Sequence, residues 1–194
     1  MSERMGHMIV HGNVRRISAD EYDKMAEFGI LAGDERVELV EGFLVSFAPP
    51  QRHEHAGMLW HHGERLRERL RGEVICWGQM PLILCEDVVL NPDLALLVGE
   101  GDRYTRRLPR PDDVHAVIEV ALSSLISDRT PKLEAYAAAN VVEYWVLDVR
   151  NERIEMYRDP RGVEYASYRL ALRGDSISFA AFPDVVFAVD ELLG

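Results

Sequence analysis

Hydrophobic and polar positions divide the chain into segments with two different periods. After the Pro49-Pro50 break, His55, Leu59, His62, Leu66 and Leu70 recur every three or four residues, which predicts one face of a helix ending near Gly72. Earlier, Ser18-Ala-Asp-Glu21 is a capping box opening a short helix that runs through about Phe28 and is closed by Gly29 and Gly33. Between these helices, 37–47 carries two short apolar runs around Glu41-Gly42, the pattern of a β-hairpin. Short strands are expected over 74–77 and 81–84.

Downstream the apolar runs become continuous. Pro92 cannot donate to a sheet ladder, so the run Asp93-Leu-Ala-Leu-Leu-Val98 should begin a strand at about Asp93. Like 114–121, it is apolar on both alternating faces and should be buried on both. A helix over about 128–139 then leads to a strand over 143–148. Strand, helix and strand here make a βαβ unit, which implies a parallel pair with a right-handed crossover. Segments 153–157, 165–170 and 176–179, separated by turns at Asn151, Gly162 and Gly174, read as a meander. The expected class is α/β with α+β character: a central mixed β-sheet flanked by helices, with additional antiparallel strands.

A length of 194 residues with 47% hydrophobic content suits a single domain over 13–194, preceded by a loose tail over 1–12 that lacks apolar periodicity. No stretch approaches the roughly 20 apolar residues of a membrane helix, and no signal-peptide pattern is seen, so a cytoplasmic location is expected. Cys76 and Cys85 fit neither a metal-knuckle nor a CxxC spacing and are read as reduced core thiols. A net charge of −11 argues against non-specific coating of nucleic acid, which depends on Lys and Arg displacing counterions. Two local basic segments remain: Arg65, Arg67, Arg69 and Arg71 on one helix, and Arg103, Arg106, Arg107 and Arg110 in one loop. Solvated arginines balanced by nearby acids are the commoner outcome for each.

Glu119 is the most informative residue, because it interrupts an apolar run in what should be a central strand. A buried carboxylate must meet a cation, take up a proton or lie at an accessible strand end. Asp93 starts the preceding strand. If the loop over 99–113 makes the two strands antiparallel neighbours, Asp93 and Glu119 converge. At about 5 Å and an effective dielectric of about 20 they would repel by roughly 3 kcal/mol, which calls for a divalent cation or a shared proton. Hard oxygen ligands with room for water suit Mg2+ or Mn2+, an arrangement that cleaves phosphodiesters. The blander alternatives are a turn-capping Asp93 and an arginine-paired Glu119. Lys132 lies on the following helix, one turn before Tyr136, where it could hold the attacking water or offset transition-state charge. By burial preference alone, a lysine is more often a surface group.

Glu38-Leu-Val-Glu-Gly42, Gln79-Met-Pro-Leu82, Pro92-Asp-Leu-Ala-Leu-Leu97, Val117-Ile-Glu-Val120, Ser123-Ser-Leu125, Asp128-Arg129, Lys132-Leu-Glu-Ala-Tyr-Ala137 and Glu143-Tyr-Trp-Val-Leu-Asp148 occur in one order. Together they resemble the Uma-two family of restriction endonucleases, from about Ile17 to the C-terminus. The resemblance implies a restriction-endonuclease-like core of the PD-(D/E)XK nuclease superfamily, with Asp93 and Glu119 as metal ligands and Glu38 as a supporting acid. The superfamily's usual lysine, two residues after the second acid, is Ala121 here. Lys132 matches the migrated lysine of this family and Gln79 its polar residue on the preceding strand, while His55 matches a histidine that borders the site.

Other signals carry less. The zincin pattern fails, because Gly57 stands where the second histidine of His53-Glu54 would be needed. No phosphate-binding glycine loop or nucleophile elbow is present. Trp60, Trp77 and Trp145 are expected in the core rather than as base-stacking platforms. The leading expectation is a metal-dependent nuclease acting on DNA. Its rivals are a catalytically silent scaffold or regulatory binding protein with the same fold, and a hydrolase of small phosphorylated molecules. Strand edges in the C-terminal meander would need covering, which makes a homodimer an expectation as well.

Overall fold

The computed structural model describes residues 14–31, 36–47, 53–70, 72–99, 102–121 and 129–194. Helix α1 (Ala19–Glu27) is opened by the expected capping box, with Ser18 Oγ accepting from the Glu21 amide and the Glu21 carboxylate accepting from the Ser18 amide. Strands β1 (Arg36–Val40) and β2 (Phe43–Phe47) form the hairpin. Its two turn residues, Glu41 and Gly42, both have positive φ, as a tight turn matched to strand twist requires. Gly42 is also sterically obligatory, since a Cβ there would lie 2.5 Å from Arg16 Cβ.

Helix α2 (His53–Arg69) buries Leu59, His62 and Leu66, with Leu70 just beyond its end. Five strands follow: β3 (Val74–Trp77), β4 (Leu82–Cys85), β5 (Val88–Leu90), β6 (Leu94–Val98) and β7 (Val114–Ala121). Helix α3 (Pro131–Ala138) connects β7 to β8 (Glu143–Asp148). The long antiparallel pair β9 (Arg153–Arg161) and β10 (Glu164–Leu172), the short β11 (Ser176–Ile177) and β12 (Phe187–Ala188), and α4 (Val189–Leu193) complete the chain.

The main sheet has six strands in the order β10-β9-β8-β7-β6-β3, with β7 and β8 parallel and every other pair antiparallel. The hairpin does not join it. Instead β1 pairs with β5 in a separate antiparallel sheet, β2-β1-β5-β4, whose outer side is covered by Tyr22 and Ala19 of α1.

Alternation along the central strands assigns each residue to a layer. On one face, Leu94, Ile118, Trp145 and Met156 pack against Leu59, Leu66 and Leu70 of α2 and against the C-terminal segment. There the Trp145 ring stacks on Phe179, with centroids 3.9 Å apart. On the other face, Ala95, Val117, Tyr144 and Val146 pack against Tyr136 of α3 and Val141. Glu119, opposite Val146 on β8, belongs to this second face.

A second interrupting acid in the central strands, Glu143, is structural. It is fully buried and accepts from Trp145 Nε1 at 2.7 Å, Arg158 Nε at 2.7 Å and the Ala180 amide at 2.7 Å, tying the C-terminal segment to the sheet.

Two expectations are corrected. Trp60 is not a core residue: it is 71% exposed, because it lies one helical step of about 100° off the Leu59–His62–Leu66 stripe. Cys85 ends β4 on the exposed side, while Cys76 is partly buried; both are free thiols. Strand β5, β12 and α4 were not expected.

Candidate active site

Asp93 and Glu119 meet at one end of the main sheet. Strand β6 enters directly after Pro92, and Leu94 pairs with Ile118, which sets Asp93 opposite Glu119 on the same face. The two are bound reciprocally. The Asp93 amide donates to Glu119 Oε2 at 3.4 Å, and Asp93 Oδ2 accepts from the Val120 amide at 3.0 Å. Both carboxylates are withdrawn from solvent, Asp93 to 5% exposure and Glu119 to 1%.

The remaining Glu119 oxygen is served by α3. Lys132 Nζ lies 2.9 Å from Glu119 Oε1, and the Tyr136 hydroxyl donates to the same atom at 3.0 Å. Residues four apart share a helix face, so both donors reach one oxygen. Burial, followed by the Glu119 charge, raises the Tyr136 phenol well above its ordinary range, so it stays a donor.

Strand β1 brings a third acid. Glu38 is 5% exposed and accepts from the Asn91 amide at 2.9 Å. Burial pushes its carboxyl up; the positive charges of Lys132 and Arg36 oppose this, and the negative charge of Asp93 adds to it. Arg36, two residues before Glu38 on the same strand, donates to the Asn91 carbonyl at 3.3 Å, with Nη2 4.0 Å from Asp93 Oδ1. Sequence reasoning passed over Arg36, although its i, i+2 spacing from Glu38 places both on one face of the strand.

Gln79 stands in the turn after β3 with φ of +53°, a conformation that costs a non-glycine residue free energy and needs outside support. Its amide donates to the Pro92 carbonyl at 3.0 Å, which anchors it beside Asp93. Gln79 Nε2 is buried and has no hydrogen-bond partner among the described residues. It lines a cleft of about 260 Å³ together with Asp93, Leu94, Gly78 and residues of α2, Trp60 and Arg67 among them. The start of α2 is described, but the side chain of His55 lies outside the described residues, as do Ser123, Ser124 and Asp128.

A further ionic cluster flanks this end of the sheet and escaped the sequence reading. Asp148 at the end of β8 and Glu155 on β9 are buried. Arg129, just before α3, binds both, with Nε 2.9 Å from Glu155 Oε2, and Arg153 reaches Asp148 at 3.0 Å. Asn151 and Tyr157 supply more donors, so these carboxylates are satisfied within the protein. Arg153, Glu155 and Tyr157 share one face of β9 at i, i+2 and i+4, whereas Arg129 and Asp148 come from other elements, and no local spacing connects them to that face.

The carboxylate oxygens of the Asp93 end, from facing strands and held by backbone amides, suit a hard divalent cation, whereas the unpartnered Gln79 Nε2 beside them is a donor that calls for a water or anionic oxygen. Among the described residues, no three His, Cys, Asp or Glu side chains group closely enough to hold a metal alone. Water and substrate would have to complete the coordination, as is usual for magnesium. The family model Uma2, described as "Putative restriction endonuclease", matches residues 19–190. This chain belongs to the Uma2 family. A crystal structure described as "a putative nuclease belonging to DUF820" from Anabaena variabilis ATCC 29413 is similar to the Uma2 chain, with a TM-score of 0.67 at 13% identity, covering 91% of this chain and 97% of the other. The likeness establishes a shared nuclease-type fold. No curated protein matches the sequence. Among the described residues of this Uma2 protein, no helix is long and apolar enough to cross a membrane.

Proposed function

We propose that this protein hydrolyses phosphodiester bonds in DNA at the Asp93, Glu119 and Lys132 constellation, with Glu38, Gln79, Tyr136 and His55 in support. The observation that carries the reading is the convergence of two buried carboxylates and a lysine from β6, β7 and α3 on one sheet end beside a cleft. Family membership supports a nuclease activity. Asp93 and Glu119 would hold Mg2+ or Mn2+, which when bound supplies an activated water and a Lewis acid for the phosphate. Glu119 keeps Lys132 at the carboxylate pair, where its ammonium can orient water and offset charge building on the phosphoryl oxygens. Tyr136 fixes the rotamer of Glu119 from the buried side. Glu38, whose carboxyl is pushed up by burial and feels the charges of both Lys132 and Asp93, stands as a supporting acid beside the pair.

The test is plasmid and oligonucleotide cleavage in magnesium or manganese, with Asp93→Asn and Lys132→Ala in parallel. Cleavage that both variants retain would overturn the assignment. A second reading, a binding scaffold without cleavage, draws on the pairing of the surface arginines with acids: Arg65 and Arg69 with Glu191, Arg103 and Arg107 with Asp113. Metal-induced thermal stabilisation that is lost in Asp93→Asn, without cleavage by the wild type, would select it.

Self-association belongs to the same proposal. Tyr168, Leu170 and Leu172 project from one side of the edge strand β10 and are exposed, and such apolar edges are ordinarily covered. A dimer in sedimentation that Leu170→Lys disperses is the expected result.

A further inference from the structure

We infer that the cleft beside Asp93 receives an unpaired nucleobase of the substrate strand, stacked on Trp60, so that the substrate is single-stranded or locally opened nucleic acid rather than intact duplex. The inference rests on the phosphodiesterase reading above and names its substrate class.

Trp60 is the anomaly of α2. A tryptophan carries more apolar surface than any other side chain, yet this one is 71% exposed at the rim of the cleft and makes no ring contact with another aromatic among the described residues. Trp60, Gly63 and Arg67 follow one another at i, i+3 and i+7, a single stripe of the helix that faces the cleft. Across from them stand Gln79 and Asp93.

Each member of this stripe has a use for a nucleotide. The indole offers a π face, on which any base stacks regardless of sequence. Gly63 keeps the wall between the two side chains low: its nearest neighbour for an added Cβ is Leu94 Cδ2 at 3.8 Å, so a larger residue would fit the backbone but occupy the cleft. The Arg67 ion pair with Glu64 is exposed on both sides, and an exposed i, i+3 pair is weak enough to be exchanged for a phosphate. The buried Gln79 Nε2 still needs an acceptor, which a base carbonyl or phosphate oxygen supplies.

Size and charge select the unpaired strand. The cleft of about 260 Å³ has room for one base, and in an intact duplex both faces of a base are already stacked on its neighbours, so none is free to meet the indole. Duplex binding is driven by several simultaneous phosphate contacts, and a chain of net charge −11 is poorly equipped for it. Stacking does not depend on net charge.

The test measures binding apart from cleavage, without added metal, by anisotropy of labelled 12-nucleotide oligothymidylate, oligouridylate and a 12-base-pair duplex. The full-length wild type is compared with Trp60→Ala and Trp60→Phe, and tryptophan quenching is followed in parallel. Tighter binding of either single strand than of duplex is expected, weakened about tenfold or more by Trp60→Ala, largely kept by Trp60→Phe, with quenching lost in both. The oligouridylate arm distinguishes RNA from DNA as the source of the base. Because Trp60 is exposed, an unchanged circular dichroism melt will certify that the variants fold. Equal binding by Trp60→Ala, a preference for duplex, no binding to any probe, or an effect of Trp60→Ala confined to sedimentation would overturn the inference. The hydrolytic reading fails separately: metal-dependent cleavage unaffected in Trp60→Ala would sink only the stacking role, and Trp60-dependent binding without cleavage would sink only hydrolysis.

Discussion

The ammonium of Lys132 and the hydroxyl of Tyr136 meet on the same oxygen of Glu119, at 2.9 and 3.0 Å. One turn of α3 thereby supplies both donors to a carboxylate that the central strand has buried. The lysine's side chain retains some solvent contact and the tyrosine has none, so the two can be separated experimentally.

Tyr136→Phe removes one hydrogen bond while keeping the ring that fills the core between α3 and Tyr144. A buried charged acceptor that loses one of its donors costs about 1–2 kcal/mol. Urea unfolding should show that loss, with a smaller fall in cleavage than Lys132→Ala causes. An unchanged midpoint would mean that the hydroxyl does not brace Glu119.

Lys132→Ala should lower metal-dependent cleavage by about a hundredfold or more, the usual cost of removing one preorganised charge from a phosphoryl or acyl transfer site. Glu119 would then lose the ammonium 2.9 Å from its Oε1, and a destabilisation of about 2–3 kcal/mol is expected from breaking a largely buried ion pair. Rate and stability measured on the same preparation show whether the catalytic loss exceeds what unfolding accounts for. A stability loss without any change in rate would make the lysine purely structural.

What could be foreseen in the sequence depended on whether the determining interaction was local. Strands β7 and β8 stood out because their apolar runs are continuous and end at turn residues, and a polar intruder such as Glu119 is conspicuous in that setting. Its meeting with Asp93 needed one topological step, the antiparallel return through the loop over 99–113, and the β6–β7 register supplies it. Arg36 and the Arg129 cluster were missed because their partners lie on other elements, where no periodicity connects them. The three-residue β5 is too short to display alternation. Trp60 was misplaced for a different reason. It adjoins the buried Leu59 in sequence, whereas in a helix adjacent residues point about 100° apart, so the stripe formed by Leu59, His62 and Leu66 already excluded it from the buried face.

Arg129 joins the base of α3 to the strand ends through Glu155 and Asp148. Arg129→Met keeps much of the apolar stem but leaves two buried carboxylates with Arg153 as the remaining cation among the described residues. A cost of about 2–4 kcal/mol follows from an incompletely compensated buried charge. Because Lys132 lies three residues further on, the same substitution should loosen α3 and reduce cleavage without touching the substrate. Partial recovery by Arg129→Lys is expected, since a lysine restores the charge but not the forked geometry.

The acid limb of the stability curve should report Asp113. Its carboxylate is buried beneath two arginines, accepts from Arg107 at 2.6 and 2.8 Å and caps the Arg110 amide at 3.0 Å. The Arg107 hydrogen bonds, with the backbone amide and both arginine charges behind them, hold its pKa down to about 2 from 3.8. A carboxyl depressed in the folded state binds its proton more weakly there than in the unfolded chain. Its stabilisation is therefore fully present above about pH 4 and is lost as the pH falls through about 2. Chemical denaturation between pH 5 and pH 2 should show Asp113→Asn less stable than wild type by about 1–2 kcal/mol at pH 5, a figure reduced for the solvent around both arginines. The two proteins should converge toward pH 2; a gap that stays constant across this window would assign the loss to packing instead of charge.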